Sequence, residues 1–287
     1  MVTVMIRLDG DGASNALREQ VTDAAAELRA GGTIPTLAII LATEDGGAVW
    51  YSRAIGTAAE KVGIDCRLVS LPADATEPEI GAQLVELARD PDIHGMLLQT
   101  PLPDGVSADA MAELIPAGKD IDGMGPLSMG RLVLGRPSFP PATAEAVVRL
   151  LKWHRVEMAG ANVVVIGRSA VVGKPLLHLL LREDATVTVC HSKTRSLAEV
   201  SSQADVLVVA IGRPRFVTAG FVRGGATVID VGTNAEGDGS LVGDVDEHSV
   251  EAVAGGLTPV PGGVGPVTTA SLLLHTVEAA QAYAQAD

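Results

Sequence analysis

Aromatic residues are scarce in this chain. Its 287 residues include three Phe, two Trp and two Tyr, so the core has to be aliphatic and an aromatic at a ligand site has to be one of these few. Cysteine is as rare, at two, too few for a disulfide framework. Cys66 and Cys190 both lie in apolar strand patterns and read as buried thiols of a reducing cytosol. No apolar run is long enough to span a bilayer. Met1 to Gly10 carries no apolar signal segment followed by a small-residue cleavage site. A cytoplasmic protein without a membrane partner is therefore expected. Positive charge is in deficit: 21 Lys and Arg stand against 35 Asp and Glu, a net charge of −14, which argues against a nucleic-acid partner. The six His do not fall at ligand spacing with Cys or acids, so no metal is expected. What remains is a 47% apolar chain, long enough for two α/β domains.

The stretch with the clearest chemistry is Ala161 to Pro175. Val163 to Ile166 is a run of β-branched residues, read as a short buried strand. Gly167 ends it, where the backbone turns without a Cβ. Gly173 and Pro175 open a helix whose Leu176, Leu177, Leu179 and Leu180 face the sheet. A strand, a Gly-containing turn and a helix N-terminus make an anion site, with backbone N–H groups and the helix dipole aimed at the ligand. The spacing departs from the dinucleotide fingerprint: Ser169 stands at the second Gly and Gly173 falls one position late. The same pattern also serves a turn that only packs a helix on a sheet. Downstream, Ala185 to Cys190 is the next strand, followed by His191, Ser192 and Lys193. No carboxylate stands there for a ribose 2′-hydroxyl. Ser192, Lys193 and Arg168 could surround a 2′-phosphate, which favours NADP over NAD; they also serve as ordinary solvated residues.

In the first half, strands at Thr36 to Ala42, Cys66 to Leu71 and His94 to Gln99 alternate with helices at Ala48 to Val62 and Glu77 to Arg89. A further helix, Ser14 to Leu28, precedes them. Such alternation predicts a parallel sheet with right-handed crossovers. Ligands of such sheets bind outside the strand C-termini, which gathers Thr43 to Tyr51, Gln99 to Pro103 and Lys119 to Gly125 around one cleft.

Several motifs then occur in one order: Leu98 to Pro103, Lys119 to Gly123, Gly167-Arg168-Ser169 with Val172 to Pro175, Cys190 to Thr194, and Pro261-Gly262-Gly263-Val264-Gly265-Pro266. Together they resemble the bifunctional methylenetetrahydrofolate dehydrogenase/methenyltetrahydrofolate cyclohydrolase family over nearly the whole chain. The resemblance implies an α/β fold of two domains with a cleft between them: an N-terminal domain for tetrahydrofolate derivatives and a C-terminal Rossmann-like domain for NADP. It further implies a homodimer. It assigns Tyr51 to stacking on the folate, Gln99 to the active site, Asp122 to the pterin ring, and Pro261, Gly262 and Gly263 to a loop closing over the substrate. Cofactor contacts are expected from Gly167, Arg168, Ser169, Val172, Gly173, His191, Ser192, Gly212 and Thr233. Taken singly, these residues have ordinary uses. Tyr51 suits a half-buried helix position, Gln99 a strand-end backbone partner, and Asp120 and Asp122 a turn.

One position breaks the family pattern of Tyr, three residues, Lys. Here the run is Tyr51-Ser52-Arg53-Ala54-Ile55, with Ile55 at the place of the Lys. An aliphatic side chain neither donates a hydrogen bond nor relays a proton. Arg53 and Lys61 are near in sequence but point to other helix faces. Ala48 and the Pro141 to Ala146 segment also depart from the family. Hydride transfer depends mainly on holding two ligands face to face, whereas methenyl hydrolysis needs an acid–base group. The expected activity is NADP-dependent oxidation of 5,10-methylenetetrahydrofolate with a weak or absent cyclohydrolase step. The alternatives are a non-catalytic folate and NADP binder, or an enzyme for a related one-carbon substrate.

In the second half, Thr143 to Trp153 is a linking helix, Ser196 to Ser202 a short helix, and Val206 to Ala210 and Ala226 to Val231 are strands. Asn234 to Gly243 is a hairpin or loop, and Val267 to Ala282 a long helix. The expected domains are 1–146 with 267–287 for folate and 147–266 for the cofactor.

Overall fold

The computed structural model describes residues 5–237 and 239–285; residues 1–4, 238 and 286–287, which the expected domain bounds include, lie outside it. In chain order the first elements are β1 (Ile6–Arg7), α1 (Asp11–Ala30), β2 (Thr36–Leu41), α2 (Gly46–Lys61), β3 (Asp65–Ser70), α3 (Glu77–Arg89), β4 (Gly95–Gln99), α4 (Ala108–Ala112), α5 (Pro126–Val133) and α6 (Ala142–Trp153). They continue with β5 (Asn162–Ile166), α7 (Gly173–Arg182), β6 (Thr186–Cys190), α8 (Leu197–Ser201), β7 (Val206–Val209), β8 (Thr227–Asp230), β9 (Asn234–Ala235), β10 (Leu241–Val242), α9 (Glu247–Val250), β11 (Gly256–Leu257) and α10 (Val264–Ala284). The chain forms two compact units, Asn15–Ala142 with Thr269–Asp287, and Met1–Ser14 with Thr143–Thr268.

The first is a three-stranded parallel unit of order β3-β2-β4. β2 is central, and Leu37 to Leu41 are buried, as expected of an all-apolar strand in a parallel sheet. Ile40 and Ala42 pack with Ile80 and Leu84 of α3 and with Met96 of β4, each large aliphatic adding ~2 kcal/mol by burial. β3 is the edge strand, which leaves Cys66 only half-buried; the expectation of two buried thiols holds for Cys190 alone. α2 starts at Gly46, earlier than its sequence suggests, because Asp45 caps it: the carboxylate accepts from the Ala48 N–H at 2.8 Å. α3 begins with a capping box in which Glu79 accepts from the Thr76 N–H at 2.8 Å. After β4 the chain returns beside the sheet, where the Met96 N–H donates to Lys119 O at 2.7 Å. This bridge fixes the height of the Asp120–Gly123 turn against β4.

The second is a six-stranded parallel unit of order β1-β11-β8-β7-β5-β6. From β6 the chain crosses back over β5 to β7, so β5 lies at the point where strand order reverses and ligands of such sheets bind at its C-terminal end. The core is aliphatic, built on Val164, Ile166, Leu207, Val209, Val228 and Leu257. β9 and β10 form the antiparallel hairpin of the acidic segment. Residues 5–14, expected with the folate domain, group with this unit: β1 pairs with β11, and Leu8 is buried, its N–H donating to Leu257 O at 2.9 Å. A two-residue strand is too short to leave a periodic signal.

Candidate functional site

Each unit carries part of the predicted constellation. In the six-stranded unit the turn after β5 is built on backbone contact. Gly167 has φ +135°, and a Cβ there would lie 2.2 Å from Ala210 O. A Cβ on Gly173 would lie 2.1 Å from Gly167 O. Both positions therefore accept only Gly, and the start of α7 is drawn against the strand end. Ser169 has a local role: its Oγ accepts from the Val172 N–H at 3.1 Å, so part of the helix N-terminus is satisfied within the turn. Arg168 and Ser169 are exposed, while Val172 and Gly173 are buried.

β5 and β6 pair with Ile166 opposite Cys190, and the Gly167 N–H donates to Cys190 O at 2.9 Å. Arg168 and Ser192 thus leave adjacent strand ends at the same level, each two residues beyond a paired position. His191 folds its own turn: Nδ1 accepts from the Lys193 N–H at 3.1 Å, and its N–H donates to Thr194 Oγ1 at 2.9 Å. Ser192 and Lys193 are left exposed beside Arg168.

The loops holding Gly212 and Thr233 are set by two buried carboxylates that sequence reasoning missed. Asp244 accepts from the N–H groups of Ile211, Gly212 and Arg213 at 2.6, 2.9 and 2.7 Å. Asp230, at the end of β8, accepts from Gly232, Asp244 and Val245 at 2.9, 3.0 and 2.8 Å. Its own N–H donates to Thr258 Oγ1 at 2.7 Å. Burial pushes the Asp230 carboxyl up to about 6, against these hydrogen bonds and with the nearby Asp244 charge. The signal available was a carboxylate closing the apolar run Ala226 to Ile229, which burial obliges to find partners. Pro261, Gly262 and Gly263 also belong to this unit. Gly262 has φ +105°, and the Gly10 N–H donates to Gly262 O at 2.8 Å.

The three-stranded unit holds Tyr51, Gln99 and Asp122. α2 buries Ala48, Ser52, Ile55 and Ala59 along one stripe and holds Tyr51 half-buried at the margin of that stripe. Burial pushes the Tyr51 phenol up to about 12; a side-chain hydrogen bond with Thr269 works against this, and the Asp122 charge adds to it. Gln99 ends β4, its Nε2 donating to Thr100 O at 2.8 Å and its Oε1 lying 3.5 Å from Ser52 Oγ.

Asp120 and Asp122 have separate work. Asp120 is buried and accepts from the Met124 and Gly125 N–H groups and from the Ser128 hydroxyl at 3.0, 2.9 and 2.6 Å, so it builds the turn. Between the two, Ile121 O accepts from His275 Nδ1 at 2.7 Å. Gly123 has φ +59°, and a Cβ there would lie 2.5 Å from Phe139 O. Asp122 is left with one weak partner among its described bonds, the Ala142 N–H at 3.3 Å. Burial pushes its carboxyl up to about 7, opposed by that hydrogen bond, aided by the Asp120 charge and opposed by His275. Asp122, Thr100 and Met124 line one small cavity. Lys119 does not join them: its Nζ donates to Asp90 O at 2.7 Å, at the opposite end of β4. Ile55 is fully buried and Arg53 exposed. Thr269 and His275 were missed although polar residues on an otherwise apolar helix were the signal.

Two family models match the chain. The catalytic domain of tetrahydrofolate dehydrogenase/cyclohydrolase matches residues 8–122, and its NAD(P)-binding domain matches residues 141–284. Bifunctional protein FolD 1 of Saccharopolyspora erythraea is 54% identical over 273 residues, covering 95% of this chain and 93% of the relative. The crystal structure of the bifunctional FolD methylenetetrahydrofolate dehydrogenase/cyclohydrolase from Campylobacter jejuni superposes with a TM-score of 0.94 at 38% identity, covering 97% of this chain and 99% of the other. The Trypanosoma brucei N5,N10-methylenetetrahydrofolate dehydrogenase-cyclohydrolase, complexed with NADP cofactor and inhibitor, superposes with a TM-score of 0.93 at 34% identity, covering 98% and 99%.

Proposed function

The chain belongs to the tetrahydrofolate dehydrogenase/cyclohydrolase family, and on that premise we propose that it oxidises 5,10-methylenetetrahydrofolate with NADP while hydrolysing the methenyl product poorly. NADP fits the six-stranded unit on two observations. The Gly167–Gly173 contact is a backbone cradle that any Cβ would fill, and Arg168, Ser192 and Lys193 lie exposed at adjacent strand ends with no carboxylate among them. The bound cofactor supplies the acceptor carbon of the nicotinamide. Gly167, Arg168, Ser169, Val172, Gly173, His191, Ser192, Gly212 and Thr233 are the residues proposed to hold it.

The chain's own contribution to oxidation is orientation. Tyr51 offers its ring face to the folate, and with its pKa near 12 it stays a neutral hydroxyl. Gln99 presents an amide whose rotation is fixed by Thr100 O. Asp122 offers acceptor oxygens to the N–H groups of a pterin. Pro261, Gly262 and Gly263 are the proposed closing loop. None of these groups has to form a bond to carbon, so oxidation tolerates the loss of a Lys.

Hydrolysis has other needs. Water adding to the methenyl cation gives up a proton, and a ring nitrogen must receive one. The observation that carries the proposal is Ile55, wholly buried and aliphatic one helical turn from Tyr51. A second reading keeps the hydrolytic step: the bacterial relatives are named bifunctional, and Asp122, held at about 7, exchanges its proton near neutral pH. A two-wavelength assay separates the readings by following reduced nicotinamide and methenyltetrahydrofolate together, first with NADP⁺ and then with NAD⁺. Reduced cofactor with accumulating methenyl product supports the dehydrogenase reading. Reduced cofactor without accumulation, beyond spontaneous hydrolysis, favours the second. No reduced cofactor sinks both.

The homodimer implied by the resemblance is also proposed, with β6 as an edge strand able to meet a second copy. A net charge of −14 supports the absence of a nucleic-acid partner. No helix among the described residues is long and apolar enough to cross a membrane.

A further inference from the structure

Two chain segments frame the Asp122 carboxylate, and one side chain of α10 touches both. His275 is 1% exposed, in a stretch whose Leu272, Leu273, Leu274 and Val277 are buried as well. An imidazole buried there costs free energy unless its N–H is bonded. Its Nδ1 lies 2.7 Å from Ile121 O. A carbonyl oxygen only accepts, so Nδ1 carries the hydrogen and donates it. That carbonyl belongs to the peptide unit entering Asp122, so the bond holds the backbone from which the carboxylate springs. On the other side of Asp122, the turn at Gly123 lies against Phe139 O, Pro140 C and Pro141 N. The next residue is Ala142, whose N–H donates to Asp122 Oδ1 at 3.3 Å. The His275 ring packs on Phe139, with centroids 5.1 Å apart and planes 34° apart. Gly95 of β4 makes room for α10 at this point: a Cβ there would lie 2.9 Å from Ile121 Cγ2 and 3.0 Å from Thr276 Oγ1. All of these residues belong to the three-stranded unit.

We propose that His275 is a positioning residue for Asp122: it ties the Ile121 carbonyl to the Phe139 ring and so sets where the Asp122 carboxylate meets the substrate. The assignment rests on reading Asp122 as the residue that holds the pterin, and His275 acts through Asp122 alone.

Ile121-Asp122 is one of three Ile-Asp pairs in the chain, with Ile64-Asp65 and Ile229-Asp230, which makes the contact observable without turnover. Full-length protein made by cell-free synthesis with ¹³C at the Ile carbonyls and ¹⁵N at Asp gives three carbonyl resonances, and Asp122→Asn identifies that of Ile121. His275→Leu removes the donor from an apolar helix; His275→Asn keeps an N–H at the place of Nδ1. His275→Leu is expected to move the Ile121 resonance and leave the other two in place. It is also expected to lower dehydrogenase kcat/KM for methylenetetrahydrofolate by ~3- to 10-fold, the size of one hydrogen bond, with KM for NADP⁺ unchanged. His275→Asn should stay within about twofold of the parent in the kinetic readouts. In the parent itself, ¹⁵N-labelled histidine should show His275 protonated at Nδ1; a neutral ring protonated at Nε2 alone overturns the proposal. So does an unmoved Ile121 resonance in His275→Leu, parental folate kinetics in that variant, or an Asn variant as impaired as the Leu variant. A resonance that moves in His275→Leu and returns in His275→Asn, in a protein with no dehydrogenase turnover, leaves the contact standing and sinks the functional reading on which the proposal rests.

Discussion

At the scale of single residues, the proposed chemistry turns on Ile55 and Asp122. Ile55→Lys would place an amine one turn from Tyr51 at a fully buried position, where desolvation lowers its pKa and makes it a better proton carrier near neutrality. Methenyl hydrolysis is expected to rise on the order of 10²-fold, the usual size of acid–base catalysis, read as faster loss of methenyl absorbance. No gain would count against assigning the proposed weakness of that step to Ile55 alone. Asp122 predicts a pH effect. Its carboxyl is raised from an ordinary value of about 4 to about 7 by burial. Between those values the folded chain keeps a proton that the unfolded chain has released. This contribution to stability is therefore complete below about pH 4 and lost as pH rises through about 7. Asp122→Asn, always neutral, should raise Tm more at about pH 8 than at about pH 5. If the ionised carboxylate holds the substrate, kcat/KM for the folate should rise with pH through about 7 and lose that limb in the Asn variant.

At the scale of elements, the site depends on the turns that leave the strand ends. The Gly167–Gly173 turn joins β5 to α7 by contact between backbones, so Gly173→Ala pushes a methyl into Gly167 O, 2.1 Å away. The expected cost is about 3 kcal/mol or more, seen as a lower Tm together with loss of NADP⁺ binding by titration calorimetry. Unchanged binding would mean that the turn is not the phosphate site. This turn was legible in the sequence because a β-branched run, a Gly and a helix-opening Pro leave local marks. The carboxylates behind it were not. Asp244 reaches the loop after β7 from 31 to 33 residues away, and no local pattern records a partner at such separation.

For the molecule as a whole, the −14 charge is a self-repulsion that added salt screens within about 10 Å at 0.1 M. Tm is expected to rise between about 0.02 and 0.3 M NaCl; a fall would mean that specific ion pairs such as Arg67–Asp90, at 2.8 Å, outweigh the net charge. The division into units was read from the order of elements, which gave no sign that residues 5–14 group with the six-stranded unit. Their two-residue strand β1 joins a sheet whose next strand in the chain begins only at Asn162.

The sequence by itself determined the alternating α/β pattern, the parallel sheets, the Gly-dependent turn, the acidic surface and the absence of a Lys one turn after Tyr51. All of these depend on residue type and short spacing, which physics reads locally. Only the tertiary structure decided that Asp120 builds a turn while Asp122 is left at the site, and that Lys119 turns away to Asp90. It alone placed His275 of α10 on the Ile121 carbonyl. Those outcomes depend on which buried polar groups find partners across the fold, and a hydrogen bond between distant segments has no spacing in the chain by which to be read.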